Sequence, residues 1–315
     1  FFRLLHLQAT SPRLDKAAFS ALESRLKAMI VNRSQSPQSV FQDAIEKELY
    51  GDHPRHLPLN MALLENIDSD LALAVYRSRF RDFSDFTFVF VGSIDLEELK
   101  AFSKTYLASL PSTHREERGR HLNDDPAKGQ NNVTIEFGLE EKTSVRVLFN
   151  GEAEWSSGNR YIMSVVRDLL NIRMRETLRE ENGGTYGVGV YASLSREPTE
   201  RYSSGFAFSC DPANADMLIA AGIQQIMDLQ ERGVRVKNLE KVQEIHLRGY
   251  QRSLKENSFW LRNLASAASE GRPFQEIVEF PEQVKVFDPY EIQEAAKRYF
   301  NFENVVVAKL NPKYE

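Results

Sequence analysis

The sequence predicts an α+β protein of two related domains, each an antiparallel sheet with helices packed on one face. Three observations carry that expectation. Helical periodicity comes in consecutive groups and strand-like alternation in pairs, not in a strict βαβ order. A polar stretch at 112–130, STHREERGRHLNDDPAKGQ, contains Leu122 as its one strong hydrophobe and reads as a linker between domains at 1–111 and 131–315. Finally, IDSDLALAVYRSRF followed by DFTFVFVG repeats the plan of FDPYEIQEAAKRYF followed by ENVVVAKL. Asp68 and Asp288, Phe80 and Phe300, and Gly51 and Gly271 each stand 220 positions apart. On that offset, the unit starting near Asn131 has a partner starting about ninety residues ahead of Phe1. The first domain is therefore expected to be truncated at its front.

Each element follows from local pattern. Before the linker, Phe19, Leu22, Leu26, Met29 and Ile30 share one helical face of residues 15–31, with Asp15 placed to cap it. Further helices are expected at 39–49 and 69–80. Residues 85–92, DFTFVFVG, are dense in β-branched and aromatic side chains and predict a buried strand, after which 95–107 returns to helix. Beyond the linker, 133–137 and 144–149 alternate like two antiparallel strands. Ser156 or Ser157 then caps a long helix with Ile162, Val165, Val166, Leu169 and Leu170 on one face. Residues 187–194 and 205–210 are strand-like, 213–232 and 237–254 helical, and 304–310 closes as a strand after shorter helices.

Composition narrows the function classes. The 315 residues are 42% hydrophobic, enough for real cores. A net charge of −5 gives no reason to expect nucleic acid or an anionic membrane surface as partner. No apolar run approaches the roughly 20 residues of a membrane span. The opening FFRLLHLQAT is too short and too quickly polar for a signal peptide, and with no initiating Met the chain is expected to be cut from a longer protein. The single Cys210 excludes a disulfide framework and a multi-cysteine zinc site.

Histidine offers no metal site either. His6, His53, His56, His114, His121 and His246 include no H-E-x-x-H and no H-x-x-E-H, the spacings that set two imidazoles and a general base on one helical face. In HPRH, His53–His56, Pro54 makes a loop, so surface or capping roles are expected and no metal. The run GGTYGVGV, Gly183 to Val190, follows a helix and precedes a strand, the reverse of a phosphate loop. Gly183 or Gly184 suits a left-handed helix cap. Gly187 and Gly189 alternate with Val188 and Val190, which leaves one strand face bare for a close backbone approach or simply a weakly packed edge strand. Arg179 and Tyr186 flank the run. The helix dipole explains an arginine there and ordinary packing a tyrosine, but together they could donate hydrogen bonds to a carbonyl gaining negative charge.

The stretch LREENGGTYGVGVYASLS resembles the pitrilysin/insulinase family of zinc peptidases, the inverzincins, in which a helix ending in Leu-Arg-Glu runs through glycine into a tyrosine-bearing strand. LQATSPRLDKAAFSALESRLKAMI, LYGDHPRHLPL, FTFVFVGSIDLEELKAFSKTYLASLP and ERGVRVKNLEKVQEIHLRGY extend the resemblance over almost the whole chain. It implies an enzyme of two halves, each of two homologous α+β domains, closing around a chamber. The N-terminal half would hold zinc through H-x-x-E-H and a more distant Glu. The C-terminal half would lack metal and supply an Arg and a Tyr near the scissile carbonyl, positions that Arg179 and Tyr186 match.

By this resemblance the chain is the C-terminal, substrate-binding half of a zinc metalloendopeptidase, inactive by itself. Its partners would be a zinc-bearing N-terminal half, on the same polypeptide or a separate subunit, and a peptide substrate. The stretch matching the distant Glu, Arg25 to Ile30, has no carboxylate, so this domain is not expected to have been a zinc domain. A non-catalytic structural or partner subunit on the same fold is the alternative. A weaker one is a peptide-binding module using the glycine-rich strand edge. The bacterial periplasm or cell envelope is favoured over the cytoplasm.

Overall fold

The structure, a computed structural model, describes residues 1–115, 119–181 and 185–314, with all their side chains except those of Glu180, Glu181 and Tyr186. Ahead of the polar stretch it is helical: α1 (Phe2–Thr10), α2 (Lys16–Gln35), α3 (Pro37–Tyr50), α4 (Met61–Glu65), α5 (Ser69–Arg79) and α6 (Leu96–Phe102), the last running on through a wide turn at Ser103–Leu107. Then come β1 (Gly129–Glu136), β2 (Thr143–Glu152), α7 (Ser157–Met174), β3 (Thr185–Ser195) and β4 (Arg201–Cys210). The chain ends with α8 (Ala215–Arg232), α9 (Val236–Ser253), α10 (Asn257–Glu270), α11 (Gln275–Val278), α12 (Phe280–Val286), α13 (Pro289–Tyr299) and β5 (Asn304–Asn311). Short polar side chains start the helices by accepting orphan backbone N–H groups: Asp15, Ser36, Asp68, Asp95, Ser156 and Asp288 each do so.

These elements gather into two compact units. Unit 1 holds Phe1–Asn32, Leu59–Arg118 and Tyr250–Glu279, and unit 2 holds Arg33–Pro58, Gly119–Gly249 and Phe280–Glu315. The units do not follow the sequence division at the linker, for each takes one stretch from the other side of it. The ends of the 112–130 stretch are also less solvated than their composition suggests. Asp82 in unit 1 accepts from the Thr113 and Arg115 amides, while in unit 2 Arg201 donates to the Asp124 carbonyl and the Asp125 carboxylate.

Unit 2 is built on a five-stranded sheet of order β1-β5-β2-β4-β3. β1 runs parallel to β5 and the other pairings are antiparallel. The α+β class read from the sequence is what the chain adopts, with two details added. β1 and β2 are not neighbours, since the C-terminal β5 lies between them. Helices also cover more than one face. On one side α7, α8, α9 and α13 bury Val165, Leu169, Leu218, Ile226, Val242 and Ile292 against Val145, Val147, Phe149 and Phe206. On the other, α3 lays Phe41, Ile45 and Leu49 on Val133, Val306, Ala308 and Leu310. β5 is thus covered on both faces, which accounts for its nearly continuous apolar run.

Unit 1 corrects one expectation. Residues 85–92 form no strand: they have no regular secondary structure and are half exposed, with no partner strand among the described residues. A strand is a pairing as much as a composition, and here the composition stands without the pairing.

Candidate functional site

The segment that carries Arg179 and Tyr186 grows out of α7. That helix buries Ile162, Val165, Val166, Leu169, Leu170 and Met174 on the apolar face legible in the sequence, and Ser156, not Ser157, caps it. It continues into a wide turn at Arg175–Glu181, where the fully buried Leu178 anchors the backbone and the next residue, Arg179, is exposed. Gly183 and Gly184 lie outside the described residues. β3 then begins with a bulge: Thr185 pairs with Cys210 and Gly187 with Ser209, so Tyr186 is the additional residue between them. The Tyr186 side chain is not among those described.

Thr185 holds this bulge. Its buried hydroxyl donates to the Ser209 carbonyl at 2.8 Å and accepts from the Gly187 amide at 3.2 Å. Sequence reasoning passed over it, although a threonine between a glycine pair and a strand is a usable signal for a local side chain–backbone clamp. Val188, Val190, Ala192 and Leu194 pack on the core, whereas a Cβ at Gly187 or Gly189 would meet nothing within 4 Å. The bare strand face inferred from the glycines is open space. β3 is also an edge strand, bonded only to β4 among the described residues.

Other sequence candidates have local partners. His53 accepts from the Arg55 amide and lies 3.2 Å from the Leu122 carbonyl, while His56 stacks on Tyr50 with ring centroids 3.5 Å apart. His246 Nε2 sits 2.7 Å from Asp168 Oδ2, tying α9 to α7, and Arg167 donates to the same carboxylate. Burial works to raise the Asp168 carboxyl, but the bonds from His246 and Arg167 outweigh it and hold it below the ordinary value. Cys210 is buried, and that burial pushes its thiol up to about 11, far from a reactive nucleophile. Among the described residues no three His, Cys, Asp or Glu side chains converge on a common point, so they do not fit zinc. An open cleft of about 880 Å³ lies at the opposite end of the sheet from Tyr186, lined by Asn150, Glu152, Glu200 and Arg201. Its charges are largely paired, as in Arg201–Asp125 at 2.7 Å and His121–Asp125 at 3.1 Å.

Comparison with known proteins agrees with this architecture. The profile of the peptidase M16 inactive domain matches residues 66–245, more than half of the chain, and the chain belongs to that family. An Arabidopsis thaliana relative named "Zinc protease PQQL-like" is 26% identical over 73% of this chain and 25% of its own length. A Haemophilus influenzae "Probable zinc protease PqqL" is 23% identical over 65% of this chain and 22% of its own. The chain thus spans about a quarter of these relatives. Among solved structures, the periplasmic protease PqqL from Escherichia coli superposes with a TM-score of 0.85 at 20% identity, over 99% of this chain and 34% of that one. A peptidase M16 inactive domain from Pseudomonas fluorescens gives 0.77 at 16%, over 99% and 75%. The resemblance to the pitrilysin/insulinase peptidases is therefore one of family, and it is to the inactive domain. No helix among the described residues is long and apolar enough to cross a membrane.

Proposed function

We propose that this chain is the substrate-binding, metal-free half of a zinc-dependent endopeptidase, in which Arg179 and Tyr186 donate hydrogen bonds to the carbonyl oxygen of the peptide bond being cleaved. The observation that supports this most is local: an exposed guanidinium one residue after a buried anchor, on the turn leading into a bulged edge strand that starts at Thr185. A donor for a developing oxyanion must face substrate and be held still, and Leu178 and Thr185 supply the holding. Gly187 and Gly189, with Gly183 and Gly184 before them, would let the peptide backbone come close. Zinc would belong to the N-terminal half, on the same polypeptide or a separate subunit, since the residues described here do not form a site for it. That half and this one, each of two homologous α+β domains, would enclose the substrate. In this arrangement 1–111 is the front-truncated domain, 112–130 the linker and 131–315 the complete domain. A periplasmic or cell-envelope location agrees with the Escherichia coli protease described as periplasmic.

The test is made in the full-length protein. Tyr186→Phe deletes one hydroxyl and should lower kcat by about 10²–10³-fold with little loss of stability. Arg179→Lys keeps the charge but loses the planar fork and should also impair turnover. Activity within about twofold of the parent on several peptides would leave a non-catalytic, structural role on the same fold as the better reading.

A further inference from the structure

Val145, Val147 and Phe149 on β2 and Phe206 and Phe208 on β4 point into the core, so the residues that alternate with them point to the other face of the unit 2 sheet. Register aligns these in rows across to β3, among them Arg146–Ala207–Gly189 and, next to it, Leu148–Gly205–Tyr191. α3 covers this face over β1 and β5, where Val306, Ala308 and Leu310 lie. Over β4 and β3 most positions are glycine, alanine or serine, and Gly187 and Gly189 are exposed. The sheet is bare there, and Arg146 stands where the bare part meets α3.

Arg146 is half-buried and has no carboxylate partner among the described residues. Its Nη1 donates to Gln42 Oε1, and its guanidinium lies over the Phe41 ring, with Cζ 5.7 Å from the centroid. The acids beside them on α3 are engaged elsewhere. Asp43 is bonded to Arg33, and Glu46 accepts from Gln42 Nε2 at 2.9 Å and faces His56 at 3.4 Å. Arg146 is thus held by a ring and an amide, and neither neutralises it. Taking a guanidinium partly out of water without a counter-charge is costly, and an apolar side chain would brace α3 against the sheet without that cost. Across β4 from it, Tyr191 lays its ring over Gly205, where a Cβ would meet the phenol oxygen at 2.6 Å. That hydroxyl is buried and has no hydrogen-bond partner among the described residues. Two donors on one face lack an acceptor.

We infer that Arg146 is a specificity residue that binds a carboxylate side chain of the peptide substrate, an Asp or Glu about three residues from the bond to be cleaved. Its Nε and Nη2 remain for the two carboxylate oxygens, in the side-on fork that arginine makes with a carboxylate. The spacing follows from the strand. Tyr186 and Gly189 are three residues apart on β3, roughly 10 Å at the rise of a strand, and Gly189 shares its row with Arg146. An extended peptide has nearly the same rise, and the glycine, alanine and serine positions let it lie close to the sheet. The inference rests on the proposed function for the position of the scissile bond, and on Arg146 and its surroundings for the carboxylate.

The test uses the full-length protein and pairs of peptides that differ only by Glu or Gln at one position, which is moved along the peptide. Binding is read with a chelator present, so that nothing is cut, and cleavage without it. At one position the Glu peptide is expected to bind and to be cut on the order of 10-fold better than its Gln partner, with the advantage shrinking at high salt. Arg146→Gln should bring that ratio within about twofold. Arg146→Glu should instead favour Lys at the same position, a gain that a misfolded protein cannot produce. A parent protein with no position that prefers Glu would overturn the inference, as would a Glu preference that survives Arg146→Gln. The two readings fail separately. Full turnover in Tyr186→Phe would remove the oxyanion role and leave an Arg146-dependent binding ratio standing, whereas an inactive Tyr186→Phe beside a ratio indifferent to Arg146 would remove the carboxylate site alone.

Discussion

Asp82 is almost fully buried and accepts hydrogen bonds from the Thr113 hydroxyl and from the amides of Thr113, Arg115 and Ser84. The Thr113 hydroxyl first, and then those amides, hold its carboxyl far below the usual carboxylate range against the opposing cost of burial. A depressed folded-state pKa gives stability that is complete above the unfolded value near 4 and is lost as pH falls through the folded one. Thermal melts should therefore change little through this group between pH 7 and 5 and fall below about pH 4. Asp82→Asn should melt lower at pH 7 and show a shallower acid dependence. At Thr185 the prediction concerns the bulge. Thr185→Val keeps the shape but strands the Ser209 carbonyl and the Gly187 amide, and should cost about 1–3 kcal/mol in denaturant titration, with Thr185→Ser losing less. The role of Asp82 could not be read from residue type alone. Asp82 and Thr113 lie 31 positions apart, and only the fold brings them together.

Secondary-structure elements show how one pattern can have two outcomes. DFTFVFVG and NVVVAKLN are both rich in β-formers, and both follow an eleven-residue helix capped by aspartate. The second is a strand because β1 and β2 present complementary edges to it. Helix α3 illustrates the same dependence from the side of packing. Its Phe41, Ile45 and Leu49 recur at a four-residue spacing and are buried on a sheet formed by residues beyond position 128. Phe41, with no exposed surface, should be the most sensitive of the three: Phe41→Ala is expected to cost about 3–5 kcal/mol, measured as a fall in the denaturation midpoint of unit 2. A loss below about 1 kcal/mol would mean that the site collapses freely around the deletion.

Over the whole molecule, the repeat and the compact units divide the chain differently. α3 belongs to unit 2 and α10, its counterpart 220 positions later, to unit 1. A polypeptide of residues 131–315 would therefore keep its sheet and the helices of one face, but would expose Val133, Val306, Ala308 and Leu310 on the other. It should bind a hydrophobic dye and aggregate, and a peptide of residues 33–58 added in trans should reduce both. A clean, monomeric 131–315 would contradict the packing role given to α3. Sequence alone determined the α+β class, most of the longer helices, the cap at Asp15 and the 220-residue repeat of helix pattern, because periodicity, capping and turn chemistry act over a few residues. Tertiary structure alone decided that β5 separates β1 from β2, that Thr185 reaches the Ser209 carbonyl, that 85–92 has no partner strand among the described residues and that α3 covers the sheet of the later repeat. Each of these depends on a partner far away in the chain, and a local pattern can announce that an edge or a face needs covering without saying which residues will cover it.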